Sequence, residues 1–341
     1  MNTYLMKKAM IEAAIDRGIQ EMADDPERSV RRLTDLGKHF SKNRFQDTIF
    51  SAMQKLLDNE HSAYYDMVHN LLENSDSEMV KKFGVNFGYM SWTYGASEIR
   101  THQKADGVSI PWAMMLRYDS NAENGLSEEL LARMMEQGQD LGIYAWFLRE
   151  CGEDLDSYHL LTLLERYKEC ACVWFKNSGR LTAAQIQMLK MCKNTVVSLP
   201  LDDPETLLTA SLLRDQKIPF ALYVQYGAEL SRESAASCME EVLSSETAML
   251  FLIAEDGIDP TAGLKIAYQS RLDQKYPCVI MDYYGDAESI SNVICEHPYL
   301  LEIGADGCMI RPDGQKGCAF PFDLPLKEAL AQVMPAFPGN N

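Results

Sequence analysis

The chain has 341 residues, 46% hydrophobic and 24% charged, enough to bury a sizeable core in one barrel-sized domain with a smaller companion. A formal net charge of −18 argues against binding nucleic acid or an anionic membrane surface, because both need clustered Lys and Arg. No stretch reaches the roughly 18 uncharged apolar residues of a membrane span.

The N-terminus reads as an amphipathic helix. Glu12 and Asp16 interrupt its apolar pattern too early for a signal peptide, so a cytoplasmic location is expected. Residues 1–107 show helical periodicity throughout and are assigned to an all-α domain. Within it, Asp25-Pro26-Glu27 is an acid-proline helix start followed by the apolar stripe Val30, Leu33 and Leu36. Ser75-Asp76-Ser77-Glu78 reads as a capping box. The following run, dense in glycine and aromatic residues (Gly84, Gly88, Gly95, Trp92, Tyr94), is expected to pack on the next domain. Lys104-Ala105-Asp106-Gly107 forms the boundary.

From residue 108 to 288 the texture alternates. Short apolar runs (IPWAMMLRYD, IYAWFLRE, CACVWFKN, TVVSLPL, PFALYVQYG, AMLFLIAED, CVIMDYYGD) are separated by helical segments. Ser127 before Glu128 and Glu129, Thr182 with Gln185, and Asp203-Pro204-Glu205 supply helix starts. Strands apolar on both faces and separated by helices imply parallel pairing. Six or seven such repeats curl into a partial or closed (β/α) barrel, within the α/β class. A doubly wound open sheet is the alternative, though no GxGxxG follows the first strand. Residues 289–341 form a tail with a short helix, a cysteine-flanked hairpin turning at Asp313-Gly314, and a final helix.

With IPWAMMLRYD, EQGQDLGIYAWF, MDYYGD and IRPDGQKGCAF in view, residues 25–335 resemble the radical SAM superfamily. The similarity is to the clostridial type with a helical N-terminal segment and a SPASM-like C-terminal tail. The resemblance implies a CxxxCxxC motif in the loop after the first barrel strand, where three thiolates hold a [4Fe–4S] cluster that cleaves S-adenosylmethionine. This chain departs from that pattern, since residues 119–126 contain no cysteine, histidine or basic residue. The GGEP-like turn after the second strand, which meets the methionine amine in the family, is matched only by Cys151-Gly152-Glu153-Asp154. Gly152 and Glu153 are thus the remnant of a cofactor-binding turn.

The nine cysteines are odd in number and sit mostly in apolar runs, as buried free thiols of a reducing compartment do. Cys170, Cys172, Cys192 and Cys278 fall at strand beginnings or inside strands, away from the C-terminal strand ends where barrels do chemistry. Cys295, Cys308 and Cys318 in the tail are the remaining candidate metal ligands, one short of a four-ligand set. His39, His61, His69, His102, His159 and His297 lack metal-binding spacing and read as packing or surface residues. Carboxylates at strand ends are the candidate catalytic groups: Asp119, Glu150, Glu153, Glu255 and Asp282, with Asp202, Asp203, Asp256 and Asp286 nearby. Arg117 in a buried run needs a partner, with Asp119 or Glu150 expected. Tyr226, Tyr283 and Tyr284 fall where they could line a pocket.

The expectation is a degenerate radical SAM-like protein without the SAM-cleaving cluster and without a cofactor. It would act as a binding or regulatory partner of another protein, such as an active radical SAM relative. Two alternatives stand beside it: an enzyme using a carboxylate- or divalent-metal-lined mouth, and a protein keeping one Fe–S cluster in the tail through Cys295, Cys308 and Cys318.

Overall fold

The structure, a computed structural model, describes residues 3–22, 31, 59–119, 126–152, 158–228, 238–310 and 314–337. The acid-proline start at Asp25, the stripe at Val30, Leu33 and Leu36, His39, the loop at 120–125, Glu153, Asp154 and Asp313 lie outside these residues.

The N-terminal part is helical: α1 (Thr3–Met22), α2 (Tyr64–Asn74), α3 (Ser77–Gly84), a π-helical run (Val85–Gly95) and α4 (Ala96–Asp106). Asp76 caps α3, its carboxylate accepting from the Met79 N–H at 3.0 Å. Asp76, not Ser75, is thus the N-cap, and with Met79 three residues on the expected box reduces to a single cap bond, aspartate being as good an N-cap as serine. Gly107 ends α4 in the left-handed conformation, φ 72°.

The glycine-aromatic run does pack on the neighbouring sheet. Trp92 and Phe87 lie against Trp112, with ring centroids 6.3 and 6.0 Å apart, and Tyr94 lies 6.0 Å from Tyr144. Asn86 donates from Nδ2 to the Lys168 and Cys170 carbonyls, both at 2.8 Å. Gly95 meets Gly142 backbone to backbone, and a Cβ there would come within 2.2 Å of the Gly142 carbonyl oxygen. All these contacts fall where strands begin, so the helical segment seals the N-terminal end of the sheet.

The alternating region gives β1 (Ala113–Tyr118), α5 (Glu128–Leu141), β2 (Ala145–Glu150), α6 (Tyr158–Arg166), β3 (Ala171–Phe175), α7 (Ala183–Met191), β4 (Thr195–Pro200), α8 (Thr206–Asp215), β5 (Phe220–Tyr226), α9 (Met239–Ser245), β6 (Met249–Ala254), α10 (Thr261–Asp273), β7 (Val279–Asp282) and α11 (Gly285–Ile294). Ser127 caps α5, and Thr182 with Gln185 forms a reciprocal capping box on α7. Asp203 does not cap its helix directly. It accepts the Glu205 N–H at 2.8 Å in the turn before α8, which starts only at Thr206.

The tail adds β8 (Glu302–Ile303), β9 (Cys308–Ile310), β10 (Lys316–Ala319) and α12 (Leu326–Val333). One ten-stranded sheet runs β10-β9-β8-β1-β2-β3-β4-β5-β6-β7. From β1 to β7 each strand joins in parallel at the same edge, which sets the order of a singly wound barrel and not the reversing order of a doubly wound sheet. β8 pairs in parallel with β1, the place an eighth strand takes in a closed barrel, but β7 stays an edge and the sheet remains open.

Curvature brings opposite limbs together: Phe147 on β2 lies 5.9 Å from Tyr283 just after β7. The concave face is filled with rings, Phe175 lying 5.1 Å from Phe251 and 5.2 Å from Tyr283. The helix-facing side holds the fully buried Trp146 and Trp174. Among the described residues no helix is long and apolar enough to cross a membrane.

Candidate functional site

Side chains alternate across a strand, so register decides which polar groups enter the lumen. Arg117 on β1 is level with Arg149 on β2, and Met115 is level with Glu302 on β8. All four face the concave side. Tyr118 and Glu150 form the next level and face the helices. Glu150 therefore points away from Arg117, which pairs with neither of the partners expected from the sequence, Glu150 or Asp119.

Arg117 instead reaches across the mouth to Asp256 after β6, with Nη1 and Nη2 donating at 2.8 and 2.5 Å, and its Nε donates to Glu302 at 3.0 Å. Burial alone would weaken its charge. The bonds to Asp256 and Glu302 outweigh that and hold Arg117 charged, while the same guanidinium holds Asp256 below the usual carboxylate range. Tyr284 donates to the other Glu302 oxygen at 2.9 Å, and Arg149 Nη1 stands 3.6 Å from the first. Arg149 lies over the Tyr283 ring, 5.7 Å from its centroid, and donates from Nη1 to the Tyr284 hydroxyl at 3.2 Å.

Among the described residues, two of the carboxylates marked as catalytic candidates, Glu150 and Asp282, lie away from this mouth. Glu150 is fully buried on the helix side, where Lys176 donates to it at 2.7 Å; the Lys176 side chain is equally buried and lies 5.9 Å from the Trp174 ring centroid. Asp282 also faces the helices. It accepts from Tyr226 at 2.6 Å and from the Gly285 N–H at 2.7 Å, at the start of α11. Burial, against these two hydrogen bonds, pushes its pKa up to about 6. Gly263 on α10 makes room for the pair, since a Cβ there would fall 2.3 Å from both Asp282 Oδ2 and the Tyr226 hydroxyl. Tyr226 therefore lines no pocket with Tyr283 and Tyr284, which belong to the lumen. Asp119 sits beside Gly152, whose φ of +92° and lack of Cβ permit the approach, and Glu255 is exposed over Gly227.

The cysteines are dispersed. Cys170, Cys192 and Cys278 are buried where strands begin, and burial pushes each thiol up to about 12. Cys151 is half-buried at the rim and also raised by burial. In the tail, Cys295 is buried at the end of α11 with its carbonyl accepting from Gln103, Cys308 is half-buried on β9, and Cys318 is exposed on β10. The hairpin aligns Cys308 with Ala319, so Cys318 stands one residue out of register. Among the described residues, no group of three or more His, Cys, Asp or Glu is placed to hold a metal ion. His297 is a packing residue near Gln103 and Ile110, its pKa lowered to about 4 by burial.

The fold that carries these residues has solved counterparts. The fold is similar to that of SuiB from Streptococcus suis. At 12% identity the likeness covers 71% of this chain and 70% of SuiB, with a TM-score of 0.52. SuiB bound to its precursor peptide SuiA matches at 13% identity, over 71% of this chain and 69% of that one, with a TM-score of 0.52. SuiB bound to S-adenosylmethionine matches at 12% identity, over 71% and 70%, with a TM-score of 0.50. At such identity the likeness carries the fold alone, an α/β fold with a mostly parallel sheet. No family model matches the chain, and no curated protein matches it.

Arg149, Lys176 and Glu302 were missed as site residues. The signal was present: like Arg117, Arg149 and Lys176 stand near the ends of apolar runs, in IYAWFLRE and CACVWFKN, where a charge must be compensated. Glu302 had no such signal, because the strand that carries it has only two residues.

Proposed function

We propose that this radical SAM-fold protein does not cleave S-adenosylmethionine and acts as a binding or regulatory partner of another polypeptide. The observation that carries this reading is what occupies the C-terminal end of β1. A [4Fe–4S] cluster there needs three thiolates on one short loop, converging on three irons of one cube. Residues 119–126 contain none. The side chain reaching over the mouth from β1 is the Arg117 guanidinium, a cation anchored to Asp256 and Glu302. Cys151 is a single thiol held toward its protonated form by burial, whereas a ligand must be a thiolate. The residues present do not fit the cluster.

Two observations support a polypeptide partner. SuiB, similar in fold, has been solved with a precursor peptide bound. On this chain, Leu208 (67% exposed) and Leu212 lie one turn apart on α8, with exposed Leu243 on α9, and exposed apolar groups of this kind mark interaction surfaces.

Anaerobic reconstitution with iron and sulfide tests the first half: no [4Fe–4S] absorbance and no reductive formation of 5′-deoxyadenosine are expected, and the appearance of both would sink the reading. Co-expression with an active radical SAM relative tests the second half. A stoichiometric complex that Leu208→Asp disrupts is expected; co-elution unaffected by that change would place the partner elsewhere.

A further inference from the structure

The sheet ends in two free edges that are built differently. β10, the outer strand on one side, has four residues, shifts its register with β9 inside them, and carries an exposed lysine, Lys316. A short strand, a register break and a lysine are ordinary means of keeping an edge from pairing with another chain. β7, at the other side, has no break and no lysine. Val279, Ile280 and Met281 are apolar, Val279 and Met281 are only half-buried, and the pairing with β6 is regular.

Parity decides which backbone groups β7 leaves over. Val279 and Tyr283 donate their N–H groups to the Ala248 and Leu252 carbonyls on the β6 side, at 2.9 and 2.8 Å. Ile280 and Asp282, out of step with them, turn their N–H and C=O groups to the free edge. One residue of a further parallel strand would bond there in a fixed way. Its N–H would meet the Ile280 carbonyl, and its C=O would meet the Asp282 N–H.

Both places are taken by side chains. Arg271 on α10 donates from Nη1 to the Ile280 carbonyl at 2.8 Å, and Asp286 on α11 accepts the Asp282 N–H on Oδ2 at 2.8 Å. The two side chains are joined by two bonds of 2.7 Å, from Nη1 to Oδ2 and from Nη2 to Oδ1. A planar fork locked on a carboxylate thus presents one donor and one acceptor where a neighbouring residue would present its N–H and C=O. At 22% and 11% side-chain exposure the pair is sheltered from water, which strengthens these bonds.

We infer that the Arg271–Asp286 pair stands in for one residue of the strand missing beside β7 and keeps a second copy of this chain from pairing there. Two copies would meet about a two-fold axis with β7 beside β7, the commonest symmetry of self-association, and Ile280 and Asp282 would supply the bonds. The device goes beyond the partner reading above and does not depend on it.

Gel filtration with light scattering, and hydrogen exchange read by mass spectrometry over residues 279–284, test it on the full chain. Arg271→Met and Asp286→Ala should give a dimer or larger species relative to wild type, growing with concentration, with residues 279–284 protected in the associated form. Arg271→Lys keeps the charge but has no fork to hold both positions. It should associate more weakly, and it carries the test if the other variants fail to fold. Exchange roughly tenfold faster over 279–284 with the mass unchanged would overturn the idea, because the pair would then only complete two hydrogen bonds. So would association that leaves 279–284 unprotected, or variants identical to wild type in both measurements. A [4Fe–4S] band on reconstitution would end the reading in the previous subsection and leave this one standing.

Discussion

The two ends of the sheet are built from different chemistry. At the N-terminal end, Phe87 and Trp92 pack on Trp112 and Tyr94 on Tyr144, and Gly95 presses on Gly142 with no room for a methyl group. At the C-terminal end, Arg117, Arg149, Glu302, Asp256 and Tyr284 make a network of charge-assisted bonds. The first arrangement is held mainly by apolar packing and the second by charge-assisted hydrogen bonds, so the two ends should respond differently to substitution.

The contrast can be broken in order of expected effect. Removing one partner of the buried Lys176–Glu150 pair, as Lys176→Met, should cost about 3–5 kcal/mol, since it takes the paired cation from a buried carboxylate. Adding Glu150→Gln should restore much of the loss in urea unfolding; a double variant as unstable as the single one would show the charge pair is not what matters. At the sealed end, Gly95→Ala should cost about 1–3 kcal/mol through overpacking against backbone that cannot yield. A melting temperature equal to wild type would mean that this closure is loose.

Titration should distinguish two buried groups by sign. Asp282, raised from 3.8 to about 6 by burial, favours the folded state at low pH, and that contribution is lost as pH rises from about 4 to about 6. The stability of Asp282→Asn relative to wild type should therefore climb across that window and be level above it. A pH-independent difference would contradict the buried, proton-holding carboxyl. His297, lowered from 6.5 to about 4 by burial, contributes above pH 6.5 and loses that contribution as pH falls toward 4, so His297→Asn should remove an acid-side loss of stability. The smallest effect is expected at Cys318. Exposed and out of register with Cys308, it should accept serine within about 0.5 kcal/mol and with unchanged iron content, and iron lost with the substitution would restore a tail cluster to consideration.

Much of the fold was legible in the chain. The apolar runs fell on β1 to β7 because a parallel sheet covered on both faces needs continuous hydrophobicity, and caps at Ser127 and Thr182 are local hydrogen bonds that need no tertiary context. The candidate site was far less legible. Glu150 and Asp282 end strands, as rim acids should, yet both face the helices and engage Lys176 and Tyr226. In a run apolar on both faces nothing in the pattern reveals parity, and one residue of register moves a side chain from lumen to helix layer. The same blindness hid Arg149 while Arg117 drew notice with the wrong partners.

What the sequence determined by itself is local or additive: the helix starts, the alternation of strand and helix, the acidic surface, and the absence of cysteine from residues 119–126. What only the tertiary structure decided is everything that joins distant segments. It set β8 beside β1, brought Asp256 and Glu302 to Arg117, and turned Glu150 and Asp282 toward the helices. The physical reason is curvature: an open sheet wound in one direction brings residues more than a hundred positions apart into one low-dielectric space, where charge compensation, and not composition, decides what each group can bind.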